Sequence, residues 1–170
     1  MRQVVLLRLS GPSGSGKSRL IQALRRRGVL CRRAVLATSR PPRDGEVHGL
    51  DYYFLPQAVI AALSGDTWLV APVHDTLQGV DLSQLETDLT SAGIVLIEIY
   101  HELWPELVAR MTKRLGSMLR TESIFMTALD PSSLRGLSSD AERAGVIRTK
   151  VEQVLLERGK DSLDAIEMRS

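Results

Sequence analysis

The chain has 170 residues, enough to bury the core of an ordinary domain, and we expect a single domain over residues 1–170. Its 22 basic and 20 acidic residues leave a net charge of +2, which gives no support to general nucleic-acid binding. One cysteine excludes an internal disulfide, so we expect a reducing, cytoplasmic location. The sequence also lacks a signal-peptide pattern and any apolar run of about 20 residues, so we expect no membrane span.

The first predicted elements are a strand over residues 4–9 and a helix over residues 19–27. The strand is an aliphatic run suited to burial, and the helix has apolar residues at helical spacing. Between them, residues 11–18 read GPSGSGKS, which satisfies the pattern G-x-x-x-x-G-K-[ST]. The order of strand, glycine-rich loop and helix is typical of a phosphate-binding loop. The alternative is a Gly/Ser-rich turn that happens to precede a lysine.

The spacing of this loop has a chemical reason. Glycines adopt backbone conformations closed to other residues, so successive amide N–H groups can turn toward one anion at a helix N-terminus. Lys17 is predicted to reach the β- and γ-phosphates of ATP, and the Ser18 hydroxyl is predicted to bind Mg²⁺. The predicted ATP phosphate-binding residues are Gly11, Ser13, Gly14, Ser15, Gly16, Lys17 and Ser18.

A second candidate site lies in residues 32–54, where a strand-like run leads into a charged Pro/Gly loop. Arg40 and Arg43 flank two prolines, which restrict the backbone and reduce the ordering entropy lost on binding. Guanidinium groups bind phosphate through two parallel hydrogen bonds, and Tyr52 or Tyr53 could add a phenolic donor. The alternative is a solvated basic loop with Glu46 as an incidental partner.

Together, the two motifs resemble those of the guanylate kinases. Residues 38–54, TSRPPRDGEVHGLDYYF, are similar to that family's segment T-[TS]-R-x-x-R-x-G-E-x-x-G-x-x-Y-x-F. The resemblance implies that Arg40, Arg43 and Tyr52 hold the acceptor's phosphate and that Glu46 orients the arginines. It also implies a P-loop three-layer α/β/α fold with a mainly parallel sheet. A small acceptor-binding region is expected at about residues 35–90, and a short lid at about residues 131–148.

Past residue 55 the chain departs from the family pattern. By distance from the flanking motifs, Val70 stands where the family has the glutamate that reads guanine, and Gln78 where it has a tyrosine. One departure lies earlier in the chain, where Leu36 stands at a position that is usually a serine in the family. Buried polar groups discriminate strongly between bases, because a wrong base leaves them unpaired. The identity of the acceptor therefore stays open.

The next strong strand signal, residues 92–99, is apolar and includes Glu98 near its end. Phosphate-loop enzymes place an acid there to hold Mg²⁺ through water, so Glu98 is a candidate metal ligand. The family has aspartate at this position and a second aspartate where this chain has Tyr100. The alternative is that Glu98 ends a strand at the surface. A helix over residues 101–120 and a buried strand over residues 124–129 are predicted to follow.

The segment from Ser132 to Arg148 resembles a shortened lid. In nucleotide kinases, lid arginines close over the triphosphate and neutralise charge during transfer. By resemblance, Arg135 and Arg148 are the best candidates. The alternative for each arginine, taken alone, is an ordinary surface residue, which its sequence context fits about as well as a catalytic role.

These features predict an enzyme that transfers a phosphoryl group from ATP to GMP or a similar nucleoside monophosphate. Lys17, Arg135 and Arg148 are the predicted catalytic residues, and Mg²⁺ is the predicted cofactor. The expected partners are ATP and a small phosphorylated acceptor, with neither nucleic acid nor membrane. Two alternatives stay open: a kinase for another phosphorylated acceptor, such as a sugar phosphate or an unusual nucleotide, and a non-catalytic binding module on the guanylate kinase fold.

Overall fold

The structure, a computed structural model, describes residues 2–12, 15–63, 65–126 and 135–157. The chain divides into two compact units. One unit comprises Met1–Leu9 and Leu24–Ile124, and the other comprises Ser10–Ala23 and Phe125–Ser170. The prediction of one domain over residues 1–170 stays a prediction.

The described residues form strands and helices in alternation. The strands are β1 (Val4–Ser10), β2 (Arg32–Arg33), β3 (Leu36–Thr38), β4 (Tyr52–Phe54), β5 (Trp68–Val73), β6 (Thr76–Asp81), β7 (Ile94–Ile97) and β8 (Leu119–Phe125). The α-helices are α1 (Lys17–Arg26), α2 (Gln57–Ala62), α3 (Leu82–Ala92), α4 (Trp104–Leu115) and α5 (Asp140–Glu157). Short 3₁₀ turns flank α4. No helix in the described ranges is long and apolar enough to cross a lipid bilayer.

The first unit contains a four-stranded sheet in the order β2-β7-β1-β8. Strand β7 runs parallel to both β1 and β2, with Leu96 opposite Leu7 and Arg33. Parallel neighbours need crossover connections, and a buried parallel strand is apolar on both faces, as the run Ile94–Ile97 is. The predicted α/β organisation with a mainly parallel sheet is confirmed.

A second four-stranded sheet, in the order β4-β3-β6-β5, lies within the predicted acceptor-binding region. Strands β5 and β6 form an antiparallel hairpin, while β3 pairs with β6 antiparallel and with β4 parallel. At the hairpin turn, His74 adopts a φ of +52°, an uncommon conformation for a residue with a side chain. This sheet places Leu36 opposite Tyr52 and Thr38 opposite Gln78.

One hydrophobic cluster holds the first unit together. It joins residues of both sheets to the apolar faces of α3 and α4: Val4, Leu6, Ala34, Leu36, Leu69, Val80, Leu82, Leu85, Leu89, Val95, Ile97, Ile99, Leu103, Leu107, Met111 and Leu115. Helix α4 contributes Leu107, Met111 and Leu115 at spacings of four, so these side chains share one face. Asp81 caps the N-terminus of helix α3, because its carboxylate accepts hydrogen bonds from the Ser83 and Gln84 amides.

The structure corrects two sequence predictions near residue 120. The helix predicted over residues 101–120 has its last α-helical residue at Leu115, because Gly116 with φ +55° turns the chain there. The strand predicted to be buried over residues 124–129 begins instead at Leu119, and Ile124 and Phe125 are 41% and 73% exposed. Apolar composition suggested burial, but the position of these residues in the fold decides their exposure. Residues 127–129 lie outside the described ranges.

Replacing Leu107 by alanine should lower the free energy of unfolding by about 2–5 kcal/mol, because the side chain is fully buried and would leave a cavity. Leu30, which is 84% exposed, provides the matched control, and Leu30→Ala should change that free energy by less than about 0.5 kcal/mol. Urea unfolding of both variants measures the difference. Equal losses would contradict the assigned core.

Candidate functional site

The phosphate loop follows β1 in the second unit, and α1 begins at Lys17, as the motif requires. Gly11 has a φ of +139° and Gly16 a φ of +94°, conformations that favour glycine. The Met126 amide donates a hydrogen bond of 2.8 Å to the Ser10 carbonyl. A Cβ added to Gly11 would lie 2.1 Å from the Met126 carbonyl oxygen, so only glycine fits there. Ser13 and Gly14, also predicted to bind phosphate, lie outside the described residues.

Lys17 and Ser15 present polar atoms at this loop. The Lys17 ammonium donates to the carbonyl oxygens of Gly11 and Pro12, at 2.7 and 3.0 Å. The Ser15 hydroxyl is buried and has no hydrogen-bond partner among the described residues. A buried hydroxyl without a partner is costly unless a ligand supplies one, so the loop suits a ligand rich in oxygen atoms.

Ser18 lies exposed in the first turn of α1, where its hydroxyl can serve as an oxygen ligand. Within the described part of the chain, no group of three or more His, Cys, Asp and Glu side chains could hold a metal ion. Mg²⁺ usually keeps several waters and binds through few protein groups together with substrate phosphates. A single hydroxyl beside a phosphate loop therefore fits Mg²⁺ carried by a nucleotide.

In the first unit, Arg40 and Glu46 form a bidentate ion pair. The two guanidinium nitrogens Nη1 and Nη2 donate to Oε2 and Oε1 of Glu46 at 2.6 and 2.7 Å. The Arg43 amide donates to the same carboxylate at 2.8 Å, while the Arg43 side chain is exposed. Glu46 thus orients Arg40 directly and fixes the backbone of Arg43. The fork-to-fork geometry holds the guanidinium in one plane.

Aromatic rings hold the other side of this arginine. The Arg40 guanidinium carbon lies 5.0 Å from the centre of the Tyr52 ring and 5.5 Å from that of Phe54. Such contacts are favourable, because the face of an aromatic ring is electronegative. The structure therefore brings Arg40, Glu46 and Tyr52 together, with the backbone of Arg43, as sequence reasoning grouped them.

Three pKa shifts describe this cluster. The hydrogen bond with Glu46 raises the pKa of Arg40 further, despite its partial burial. Burial alone would raise the pKa of Glu46, but hydrogen bonds from Arg40 and the Arg43 amide outweigh it and hold that pKa below its usual value. Burial is the main cause of the raised pKa of Tyr52, followed by the charge of Glu98, so its phenol stays protonated at neutral pH.

Sequence reasoning missed a second ion-pair cluster, centred on Arg33. Its Nε and Nη2 atoms both lie 3.1 Å from Glu98 Oε1, and its Nη1 atom lies 3.1 Å from Asp51 Oδ1. Glu98 therefore has one oxygen occupied by Arg33, and a contact with Mg²⁺ through water would use the other. In the sequence, Arg33 is only a charged residue at the start of a strand-like run, which does not reveal a partner 65 residues away.

Three of the positions that depart from the family pattern lie on neighbouring strands of the second sheet: Leu36 on β3, Gln78 on β6 and Val70 on β5. Leu36 is buried in the core at 2% exposure, and Val70 pairs with Gly79 across the hairpin. The Gln78 side-chain oxygen accepts a hydrogen bond of 3.4 Å from the Tyr100 amide. The side chains of Leu36 and Val70 are apolar, and that of Gln78 accepts a hydrogen bond from the backbone of Tyr100.

The two predicted lid arginines lie in the second unit. Arg135 is exposed in a turn, and Arg148 is exposed on α5. A capping box begins α5: the Ser139 hydroxyl accepts from the Glu142 amide, and the Glu142 carboxylate accepts from the Ser138 and Ser139 amides. These hydrogen bonds, first of all the one from the Ser139 amide, lower the pKa of Glu142. Residues 131–134 of the predicted lid lie outside the described ranges.

Gly11→Ala should destabilise the protein more than Gly28→Ala. Both glycines have positive φ, so an alanine costs roughly 1–2 kcal/mol at either position, but only Gly11 has a backbone atom in the way of a Cβ. Nothing lies within 4 Å of a Cβ at Gly28. Urea unfolding measures both free energies. An equal loss in the two variants would contradict the close approach of Met126 to the loop.

The stabilising effect of Glu46 should depend on pH. Its folded-state pKa lies below the ordinary value of 4.5, so its ionisation favours the folded state above that pH. This contribution is lost as the pH falls through the folded-state pKa. Glu46→Gln should therefore cost more stability at pH 7 than at pH 3.5, in urea unfolding at both values. A loss that does not change with pH would contradict the ion pair.

Known proteins match this chain over different lengths. A family model described as guanylate kinase matches residues 1–65. The guanylate kinase of Wolbachia sp. subsp. Brugia malayi is 37% identical over 97 residues, which cover 56% of this chain and 50% of that protein. The guanylate kinase of Synechocystis sp. is 33% identical over 143 residues, 82% of this chain and 72% of that protein.

A solved structure has the same fold. The crystal structure of guanylate kinase from Anaplasma phagocytophilum superimposes with a TM-score of 0.54 and 21% identity, covering 94% of this chain and 72% of that one. The P-loop α/β fold expected from the sequence is therefore confirmed. The chain spans about half the length of the Wolbachia relative. With one third of its residues identical to the Synechocystis enzyme over most of both proteins, the chain belongs to the guanylate kinase family.

Proposed function

We propose that this protein transfers the γ-phosphoryl group of ATP to the phosphate of a nucleoside monophosphate or a similar phosphorylated acceptor. The arrangement of Arg40 carries the proposal. Phosphate loops occur in many enzymes and do not by themselves identify the acceptor. Arg40, in a different segment of the chain, is held by a carboxylate and two aromatic rings, and this arrangement suits a second phosphate. Family membership supports the same reaction, since the matched relatives are named guanylate kinases.

In the proposed reaction, an oxygen of the acceptor phosphate attacks the γ-phosphorus of ATP, and the bond from that phosphorus to the bridging oxygen of ADP breaks. The attacking oxygen is already anionic at neutral pH, so the reaction needs no general base. Positioning and electrostatic stabilisation then supply the catalysis.

Each part of the site has a role in this proposal. Lys17 exchanges its contacts with the Gly11 and Pro12 carbonyls for contacts with the β- and γ-phosphates. Arg40 and Tyr52 bind the acceptor phosphate, with Arg43 beside them. Mg²⁺, when bound to the Ser18 hydroxyl and the nucleotide, supplies further positive charge. Arg135 and Arg148 are proposed to offset the charge that develops on the transferred oxygens.

Leu36, Val70 and Gln78 favour a second candidate, a kinase that accepts a phosphorylated molecule other than GMP. Guanine presents ring and amino N–H donors, and reading them requires acceptor groups such as carboxylates. Leu36 and Val70 have no polar atoms in their side chains, and Gln78, whose oxygen accepts from the Tyr100 amide at 3.4 Å, is an uncharged amide rather than a carboxylate. We infer that GMP is not strongly preferred. A non-catalytic binding module is disfavoured, since such a module has no use for the complete Gly16-Lys17-Ser18 sequence.

A panel of acceptors tests the proposal. Wild-type protein with Mg-ATP should phosphorylate at least one member of a panel of GMP, dGMP, AMP, UMP, CMP and sugar phosphates. The matched control is Lys17→Ala, whose folding is checked by circular dichroism and which should lose nearly all turnover. Product formation no greater than in this control would contradict the kinase reaction. A preference for GMP above about a thousandfold would contradict the inference from Leu36, Val70 and Gln78 that GMP is not strongly preferred.

A further inference from the structure

Arg33 is more deeply placed than an ordinary surface arginine. Its side chain is 18% exposed, and its guanidinium carries five N–H donors and no acceptor. A partly buried guanidinium needs carboxylates or carbonyls for its N–H groups, and Arg33 meets this need with Glu98 and Asp51. These two acids come from different parts of the first unit. The arginine therefore links two segments rather than stabilising one.

One end of this link is the sheet in the order β2-β7-β1-β8. Arg33 lies opposite Leu96 in the parallel pair of β2 and β7, and Glu98 follows directly after β7. The Ala34 amide donates to the Leu96 carbonyl at 2.8 Å and continues the pairing. Since β7 also pairs with β1, both Arg33 and Glu98 are anchored to central, hydrogen-bonded backbone.

The other end is the turn that precedes Tyr52. Asp51 uses Oδ1 for Arg33 and Oδ2 for the Val47 amide, at 3.1 and 2.9 Å. The Asp51 amide donates back to the Val47 carbonyl at 3.0 Å, which closes the turn. The residue after Asp51 is Tyr52, whose ring lies against the Arg40 guanidinium. Contacts thus run from strand β7 through Arg33, Asp51 and Tyr52 to the arginine of the proposed acceptor site.

We propose that Arg33 is a positioning residue for the acceptor phosphate: it fixes the turn at residues 47–51 to Glu98 and thereby holds Tyr52 against Arg40. Acceptor binding then depends on Arg33, although Arg33 itself does not touch the acceptor. This inference rests on the proposed function for its substrate. A displacement of about 1 Å at a binding group can cost a large factor in rate or affinity, so the effect should be measurable.

Steady-state kinetics with Mg-ATP and the best acceptor of the panel, beginning with GMP, test the proposal. Arg33→Met should raise the KM for the acceptor by about tenfold or more and leave the KM for ATP within about twofold. Arg33→Lys should recover part of the loss, because it keeps the charge. Arg32→Met is the matched control: Arg32 is the strand neighbour and pairs with Asp88 instead, so neither KM should change appreciably. Equal effects on both substrates, or the same effect in Arg32→Met, would overturn the proposal.

A double variant separates lost positioning from an unpaired charge. Arg33→Met leaves Glu98 without its partner, and adding Glu98→Gln removes that negative charge. The increase in the acceptor KM should persist in the double variant, since Asp51 still lacks its anchor. Full recovery to the wild-type KM would show that the unpaired Glu98 charge was responsible, and would overturn the positioning role.

Hydrogen exchange gives a readout that does not depend on turnover. Amides in residues 43–54 should exchange faster in Arg33→Met than in the wild type or in Arg32→Met, because the turn loses its anchor. Unchanged exchange there would overturn the proposal. If the wild-type protein phosphorylates no acceptor, the proposed function fails, and this exchange experiment alone decides whether Arg33 fixes the turn.

Discussion

A guanidinium group cannot lose its charge in a protein, so an arginine that is partly buried must be matched by acceptors in its surroundings. This requirement shapes the first unit at two positions. Arg40 is matched by both oxygens of Glu46, and Arg33 by one oxygen each of Glu98 and Asp51. Glu46 and Asp51 both come from the loop that precedes β4, and Tyr52 directly follows Asp51.

The Arg40–Glu46 ion pair fixes the orientation of the guanidinium and also offsets part of its positive charge. A guanidinium already held in plane loses little entropy when a phosphate binds, which favours recognition. The paired carboxylate, however, cancels part of the attraction for an anion. The aromatic rings of Tyr52 and Phe54 help to orient the cation without adding negative charge. The cluster is therefore suited to a small, highly charged group such as a phosphate.

The phosphate loop meets a different constraint, which is steric. The Met126 carbonyl comes so close to Gly11 that no side chain fits, and the positive φ of Gly11 and Gly16 gives the backbone its curvature. Leu36 contrasts with both charged sites, because its side chain belongs to the hydrophobic core. The glycine-rich loop and the Arg40 segment match the family's motifs, while Leu36 and Val70 are apolar at positions where the resemblance implies polar side chains.

Much of the design is local in sequence and could be predicted from it. The strand, loop and helix around Lys17 follow from glycine chemistry and apolar periodicity within 30 residues, and the grouping of Arg40, Glu46 and Tyr52 follows from one short motif. The helix end at Gly116 and the exposure of Phe125 were not predicted, since composition does not show what covers a residue. Residues at the ends of elements depend most on such surroundings.

By itself, then, the sequence determined the fold class, the glycine-rich loop between β1 and α1, and the grouping of Arg40, Glu46 and Tyr52, because those features depend on residues close together in the chain. Only the tertiary structure decided that Arg33 joins Glu98 to Asp51 and that the Gln78 oxygen accepts a hydrogen bond from the Tyr100 amide. These contacts link residues 18 to 65 positions apart, and strand pairing brings them together. Their chemistry is visible in the sequence, but their proximity is a product of folding.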